Sequence, residues 1–170
     1  MTPPLPRTLD RATFVATYGQ VFEHSPWIAE ASWDAGLPAD ADTAEGLHQA
    51  LCAALAPAPA ERKLDLIQAH PDLAGKLAQA GRLTAESTSE QASAGLDQLT
   101  DQERATFTRL NDAYQARFGF PFIIAVKGLS KAEILAAFER RLNNDRDTEL
   151  ATALTQVERI ALLRLQDLLP

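Results

Sequence analysis

Two Ser/Thr-x-x-Glu boxes, Thr100 to Glu103 and Ser130 to Glu133, constrain the second half of this chain more than any other feature. Each sets a hydroxyl three residues ahead of a glutamate, so that the two side chains satisfy the unpaired donors of a helix's first turn. Behind the first box, Phe107, Leu110, Tyr114 and Phe118 share one helical face that stops at Gly119. Behind the second, Ile134, Leu135, Phe138 and Leu142 do the same and stop near Asn143-Asn144. The first half is punctuated in the same way. Asp10 opens a segment carrying Phe14 and Tyr18, Ser25-Pro26 opens one that Gly36 can end, and Leu47, Leu51 and Leu55 repeat at helical spacing after Thr43. Leu64 and Ile67 lie on a segment that must stop near His70, because Pro71 disfavours helical geometry in the residue before it. A last helix is expected from about Asp147 to Leu168.

Alanine and leucine are plentiful, glycine contributes 8 of 170 residues, and the β-branched and aromatic residues form no alternating runs. Only Phe120-Pro121-Phe122-Ile123-Ile124-Ala125-Val126 is too short and proline-broken for a core helix, and it is expected as a buried extended stretch. The alanine- and proline-rich Ala53 to Ala60 is short enough to be an inter-helix loop. The expected architecture is an all-α, single compact bundle of about eight helices, residues 1–170 forming one domain.

Several function classes are excluded or disfavoured. The net charge is −7, from 16 basic and 23 acidic side chains, with no basic stripe, which argues against nucleic acid as a partner. No apolar run approaches the roughly 20 residues that span a bilayer, so no membrane partner is expected. The start, Met1-Thr2-Pro3-Pro4-Leu5-Pro6-Arg7, has no apolar signal core, and the end, Asp167-Leu168-Leu169-Pro170, is not a Ser-Lys-Leu peroxisomal address. Cys52 is alone, which excludes an internal disulfide and a cysteine-cluster metal site. A reducing cytoplasm fits these features.

Three histidines and two further groups are candidates for chemistry. His48 points away from the leucine stripe of its helix and is expected to face solvent. His24 lies in the loop before Ser25-Pro26, where capping or packing explains it. His70 stands where a helix must end, ahead of Pro71-Asp72-Leu73-Ala74, so its ring projects from a rigid corner. Glu90 closes Ser87-Thr88-Ser89-Glu90, which matches a capping box; the hydroxyl-rich Thr84 to Ser93 also offers a helix N-terminus to an anion. Arg164 projects from the face of the last helix that carries Leu150, Leu154, Val157, Ala161 and Leu168, while Arg159 points the opposite way. An inward arginine needs an anion, either a carboxylate on a neighbouring helix or a ligand. Spacing alone leaves both open.

At these residues the chain resembles the OHCU decarboxylase family, whose substrate is 2-oxo-4-hydroxy-4-carboxy-5-ureidoimidazoline. The matching blocks are Phe22-Glu23-His24-Ser25-Pro26-Trp27-Ile28-Ala29, Ala69-His70-Pro71-Asp72-Leu73-Ala74, Ser87-Thr88-Ser89-Glu90-Gln91, Phe118-Gly119-Phe120-Pro121-Phe122-Ile123-Ile124-Ala125-Val126-Lys127-Gly128 and Arg164-Leu165. Together they extend over nearly the whole chain, and their order and spacing are specific where His-Pro-Asp-Leu alone would be weak. The resemblance implies an all-helical homodimer that turns OHCU into S-allantoin and CO2 in urate catabolism, with no metal and no organic cofactor. It implies His70 and Glu90 as catalytic residues. Pro71, Ser87, Thr88, Ser89, Glu90, Gln91 and the backbone of Phe122, Ile123, Ile124, Ala125 and Val126 would line the substrate site, and Arg164 would meet the anionic substrate. The absent peroxisomal address departs from many eukaryotic members and suggests a bacterial type. Two rivals remain: a related cofactor-free lyase or isomerase for another ureido or hydantoin acid, and a catalytically silent helical interaction module.

Overall fold

The computed structural model describes residues 2–170. Among them are nine α-helices and no strand: α1 (Arg11–Tyr18), α2 (Trp27–Asp34), α3 (Ala44–Leu55), α4 (Ala60–Gln68), α5 (Lys76–Gln79), α6 (Ala85–Ser93), α7 (Asp101–Phe118), α8 (Lys131–Arg141) and α9 (Arg146–Leu168). The all-α expectation holds, and the count differs from it through the single turn α5. The chain divides into two compact units, one of residues 1–69 with 157–170 and one of residues 70–156. The residues of α9 up to Gln156 belong to the second unit and those from Val157 to the first.

In the first unit, Asp10 caps α1 by accepting from the Thr13 N–H at 2.8 Å, and Thr43 caps α3 by accepting from the Gly46 N–H at 3.1 Å. Gly46 is required there, because a Cβ would strike the Asp40 carbonyl. Helix α2 begins one residue later than its Ser25-Pro26 signal suggests. The Ser25 hydroxyl donates to the Glu23 carbonyl at 2.9 Å, and the N-cap position falls on Pro26, which has no side-chain cap to offer. Helices α1 and α2 pack together, as do α2 and α3. They bury Phe14, Tyr18, Ile28, Leu47, Leu51 and Leu55 in full.

In the second unit both capping boxes form as their spacing requires. Thr100 and Ser130 accept from the N–H groups of Glu103 and Glu133, and each glutamate accepts in return from the capping residue's N–H. Gly119 ends α7 with φ +80°, a left-handed geometry that costs other residues more. The Tyr114, Phe118, Phe120, Phe122 and Phe138 rings form one aromatic core, with Phe122 stacked on Phe138 at 3.9 Å. The stretch 120–126 is neither helix nor strand and is buried as expected, with Ile124 its one half-buried residue.

Candidate active site

His70 immediately follows the end of α4 and is buried, at 7% exposure. The loop that continues from it is tied down by two side-chain amides. Gln91, on α6, accepts the Ala74 N–H at 2.9 Å through Oε1 and donates to the Asp72 carbonyl at 3.3 Å through Nε2. Asn111, on α7, donates to the Leu73 carbonyl at 2.9 Å. A non-helical buried loop needs such partners for its polar groups. The one that supplies two of them is the residue next to Glu90, so the loop after His70-Pro71 is fastened, at Asp72 and Ala74, to the helix that carries the candidate carboxylate.

The capping-box explanation of Glu90 does not survive. Helix α6 starts at Ala85, and its cap is Thr84, whose hydroxyl accepts the Ser87 N–H at 3.2 Å. Glu90 therefore stands in the second turn, too far along the helix to satisfy a first-turn donor. It is half-buried, while Ser87 and Gln91 are buried and Thr88 and Ser89 are exposed. Pro71 is half-buried beside His70.

Asp72 is a group that sequence alone did not mark. Burial pushes its carboxyl above the usual carboxylate range, neighbouring Asp112 adds to the shift, and a hydrogen bond with Gln115 opposes it. Its Oδ1 is buried with no hydrogen-bond partner among the described residues.

The Phe122 to Val126 backbone is held from two helices of the same unit. Arg141, on α8, donates from Nη1 to the Ile123 carbonyl at 2.7 Å, and its guanidinium lies 4.3 Å from the centre of the Phe122 ring. The Ala125 N–H donates to Oε1 of Gln156 at 2.9 Å. Arg141 also donates from Nε to Glu149 at 2.9 Å, and Glu149 accepts from the Tyr114 hydroxyl at 2.6 Å and from Asn144 at 2.9 Å. Burial and the adjoining Glu149 drive the Tyr114 phenol well above its ordinary range.

In the first unit, Arg164 is inward-facing as its spacing requires, and Nη2 meets Oε2 of Glu23 at 2.9 Å. A second contact runs from Nη1 to the Gln20 carbonyl at 3.4 Å. Arg159 is exposed, as expected. His48 does not face solvent: it is half-buried, and its Nε2 lies 2.8 Å from the Glu158 carbonyl and 3.4 Å from the Cys52 sulfur. The leucine stripe defines one covered face of α3, but the backbone of α9 at Glu158 covers a second. His24 is exposed with φ +48°.

Glu23, Arg141, Glu149 and Gln156 went unmarked as site candidates. Two had a legible signal. Arg141 continues the Ile134, Ala137, Phe138 stripe by one turn, and Glu149 precedes Ala153 and Val157 on the same face of α9 that exposed Arg164 to suspicion. Among the described residues no helix is long and apolar enough to cross a membrane, and no group of three His, Cys, Asp or Glu side chains is placed to hold a metal ion.

Comparison with known proteins places the chain in a family. The family model described as OHCU decarboxylase matches residues 7–166. A 2-oxo-4-hydroxy-4-carboxy-5-ureidoimidazoline decarboxylase of Halalkalicoccus jeotgali is 43% identical over 94% of this chain and 86% of its own. The enzyme of the same name from Mus musculus is 38% identical over 95% of this chain and 89% of its own. Among solved structures, that of (S)-allantoin synthase superposes with a TM-score of 0.76 at 33% identity, covering 96% of this chain and 52% of that one. An OHCU decarboxylase crystallised in the presence of (S)-allantoin gives 0.68 at 25% identity, covering 88% and 94%. With a matching family model over almost its full length and relatives this similar, the chain belongs to the OHCU decarboxylase family.

Proposed function

We propose that this protein is a carboxy-lyase that converts OHCU to (S)-allantoin and CO2, with His70 and Glu90 as its catalytic residues. The observation that carries the assignment of residues is the fastening of the loop that follows His70-Pro71, at Asp72 and Ala74, through Gln91 to the helix that bears Glu90. Family membership supports the substrate. Pro71, the Ser87 to Gln91 segment and the Phe122 to Val126 backbone line the substrate in this reading. Residues 1–170 act as one domain.

The chemistry asks little of an added group. When the bond from the ring carbon to the carboxylate breaks, CO2 leaves, the electron pair passes into the substrate's own conjugated imine, and the imine nitrogen takes up a proton from solvent. An enol remains. Removal of its hydroxyl proton and delivery of one proton to one face of the adjacent ring carbon give the ketone and the stereocentre of (S)-allantoin. His70 takes the hydroxyl proton, and Glu90 polarises the ring and supplies the proton to carbon. Both must be held in register with the substrate, which the two Gln91 hydrogen bonds to the loop after His70 favour. A homodimer in the cytoplasm completes the reading, supported by the family resemblance and by a single cysteine with no disulfide partner.

The test is to mix freshly prepared OHCU with the protein and follow the optical rotation of the allantoin formed. Rapid formation of the S enantiomer is expected. Racemic allantoin appearing at the rate seen without protein overturns the proposal.

A further inference from the structure

Within the unit of residues 70–156 lies a recess of about 340 Å³, walled by the loop after His70, α5, α6 and the first turn of α7. Its apolar wall is Ala74, Ala78, Leu83, Ala92 and Leu96. Thr88, Gln91 and Ala92 reach it from one face of α6, at the three- and four-residue spacing of helical neighbours, and Glu90 projects from the other side. Neither His70 nor Glu90 lines it.

Two opposite charges stand on this recess, Arg104 and Asp97. Among the described residues the Arg104 side chain pairs only with Asp101, at 3.4 Å on an exposed helix surface, where such a pair contributes little. No hydrogen bond or ion pair engages the Asp97 carboxylate among the described residues. A guanidinium fork and a carboxylate are therefore both available to a ligand, and the lining as a whole carries no net charge.

The recess also bears on the loop after His70. Ala74 lines it with φ +51°, in the left-handed region that a residue with a Cβ seldom adopts. Gln91 accepts the Ala74 N–H at 2.9 Å, and Gln79 donates to the Ala74 carbonyl at 3.2 Å. Both glutamines line the recess as well, so a ligand there touches the contacts that shape the loop.

We propose that this recess is a binding site for a small zwitterion, a free α-amino acid with an apolar side chain. The carboxylate takes the Arg104 fork, the ammonium meets Asp97, and the alkyl group covers Ala78, Leu83 and Ala92. A simple anion would be repelled by Asp97 and a simple cation by Arg104, so each would lose at one end what it gained at the other. The volume lies at the low end for small-molecule sites, about 300–1,000 Å³, which restricts the ligand to a few carbons. The site goes beyond the decarboxylase reading and does not depend on it.

The experiment titrates the full-length, isotope-labelled protein with L-leucine and follows the backbone amide resonances. Isocaproate and isoamylamine serve as controls that keep the alkyl group and lack the ammonium or the carboxylate. L-leucine should give saturable shifts at Ala74, Gln91 and Ala92. Each control should bind about tenfold more weakly, the factor one charge-assisted contact supplies. Arg104→Gln and Asp97→Asn, at half-buried and exposed positions, should melt like wild type and weaken L-leucine binding by the same factor. No saturable shift with L-leucine, equal binding of the controls, or undiminished binding in either variant overturns the proposal. Shifts at Ala92 that leave Ala74 unmoved overturn the link to the loop alone. The titration is independent of OHCU turnover, so its failure leaves the proposed decarboxylase activity standing.

Discussion

Arg164 and Glu23 form an ion pair at 2.9 Å with side-chain exposures of 5% and 1%. An arginine on the inward face of α9 therefore has a carboxylate partner before any substrate arrives. Removing one member of a buried pair leaves the other charged and desolvated, which typically costs about 3–5 kcal/mol. Glu23→Gln should lower the melting temperature clearly, and Arg164→Lys should do so to a smaller extent, since lysine keeps the charge and loses the planar fork. Arg159→Ala, at an exposed position, should change neither stability nor kinetics. A Glu23→Gln variant that melts like wild type would show that the pair adds no stability.

His70→Ala and Glu90→Ala should fold and lose most activity. General acid–base groups contribute on the order of 100- to 10,000-fold each. Glu90→Gln is the sharper substitution. Because Thr84 caps α6 and Glu90 stands a turn further on, glutamine there has no capping duty to preserve. The loss in kcat/KM should approach that of the alanine variant while the melting curve stays unchanged. Wild-type turnover in Glu90→Gln would remove the carboxylate from the chemistry.

Asp72 should make stability fall as pH rises. Its folded carboxyl titrates above the ordinary value of 3.8, chiefly because it is buried, so the folded state holds the proton where the unfolded state has released it. The contribution is complete below the unfolded value and is lost as pH rises through the folded one. Asp72→Asn cannot ionise and should be more stable than wild type near neutral pH, with the advantage vanishing in acid. Melting curves from acid to neutral pH check this, and an advantage for Asn that persists unchanged in acid would assign the effect to packing.

Cys52 should be a slow nucleophile in the folded protein. Burial, with Glu158 adding to it, pushes its thiol up to about 12, so little thiolate exists at mildly alkaline pH. Alkylation by iodoacetamide should be much slower in the native protein than in denaturant, followed by mass spectrometry. Equal rates in the two states would contradict the burial of this thiol.

The sequence by itself determined the elements. Caps, prolines and glycines act within a few residues of their own position, so Asp10, Thr43, Thr100, Ser130 and Gly119 could be read without knowing their neighbours in space. The same locality let the apolar period of α9 separate buried Arg164 from exposed Arg159. What it could not decide was pairing across the chain. Ser87 to Glu90 has the spacing of a capping box, and only the competing cap at Thr84 shows that the helix begins earlier. His48 was expected to face solvent because its own helix offers one apolar face, and a backbone carbonyl 110 residues away covers the other. The period of α9 says only that Arg164 needs an anion, and the folded chain is what brings Glu23 opposite it. Gln91, Arg141 and Gln156 hold loops whose groups lie far along the chain or on other elements, through single hydrogen bonds that leave no periodic trace. Period and capping report which way a residue faces. What it meets there is fixed by long-range packing, and that is why the helices were legible in the sequence and the partners of the site residues were not.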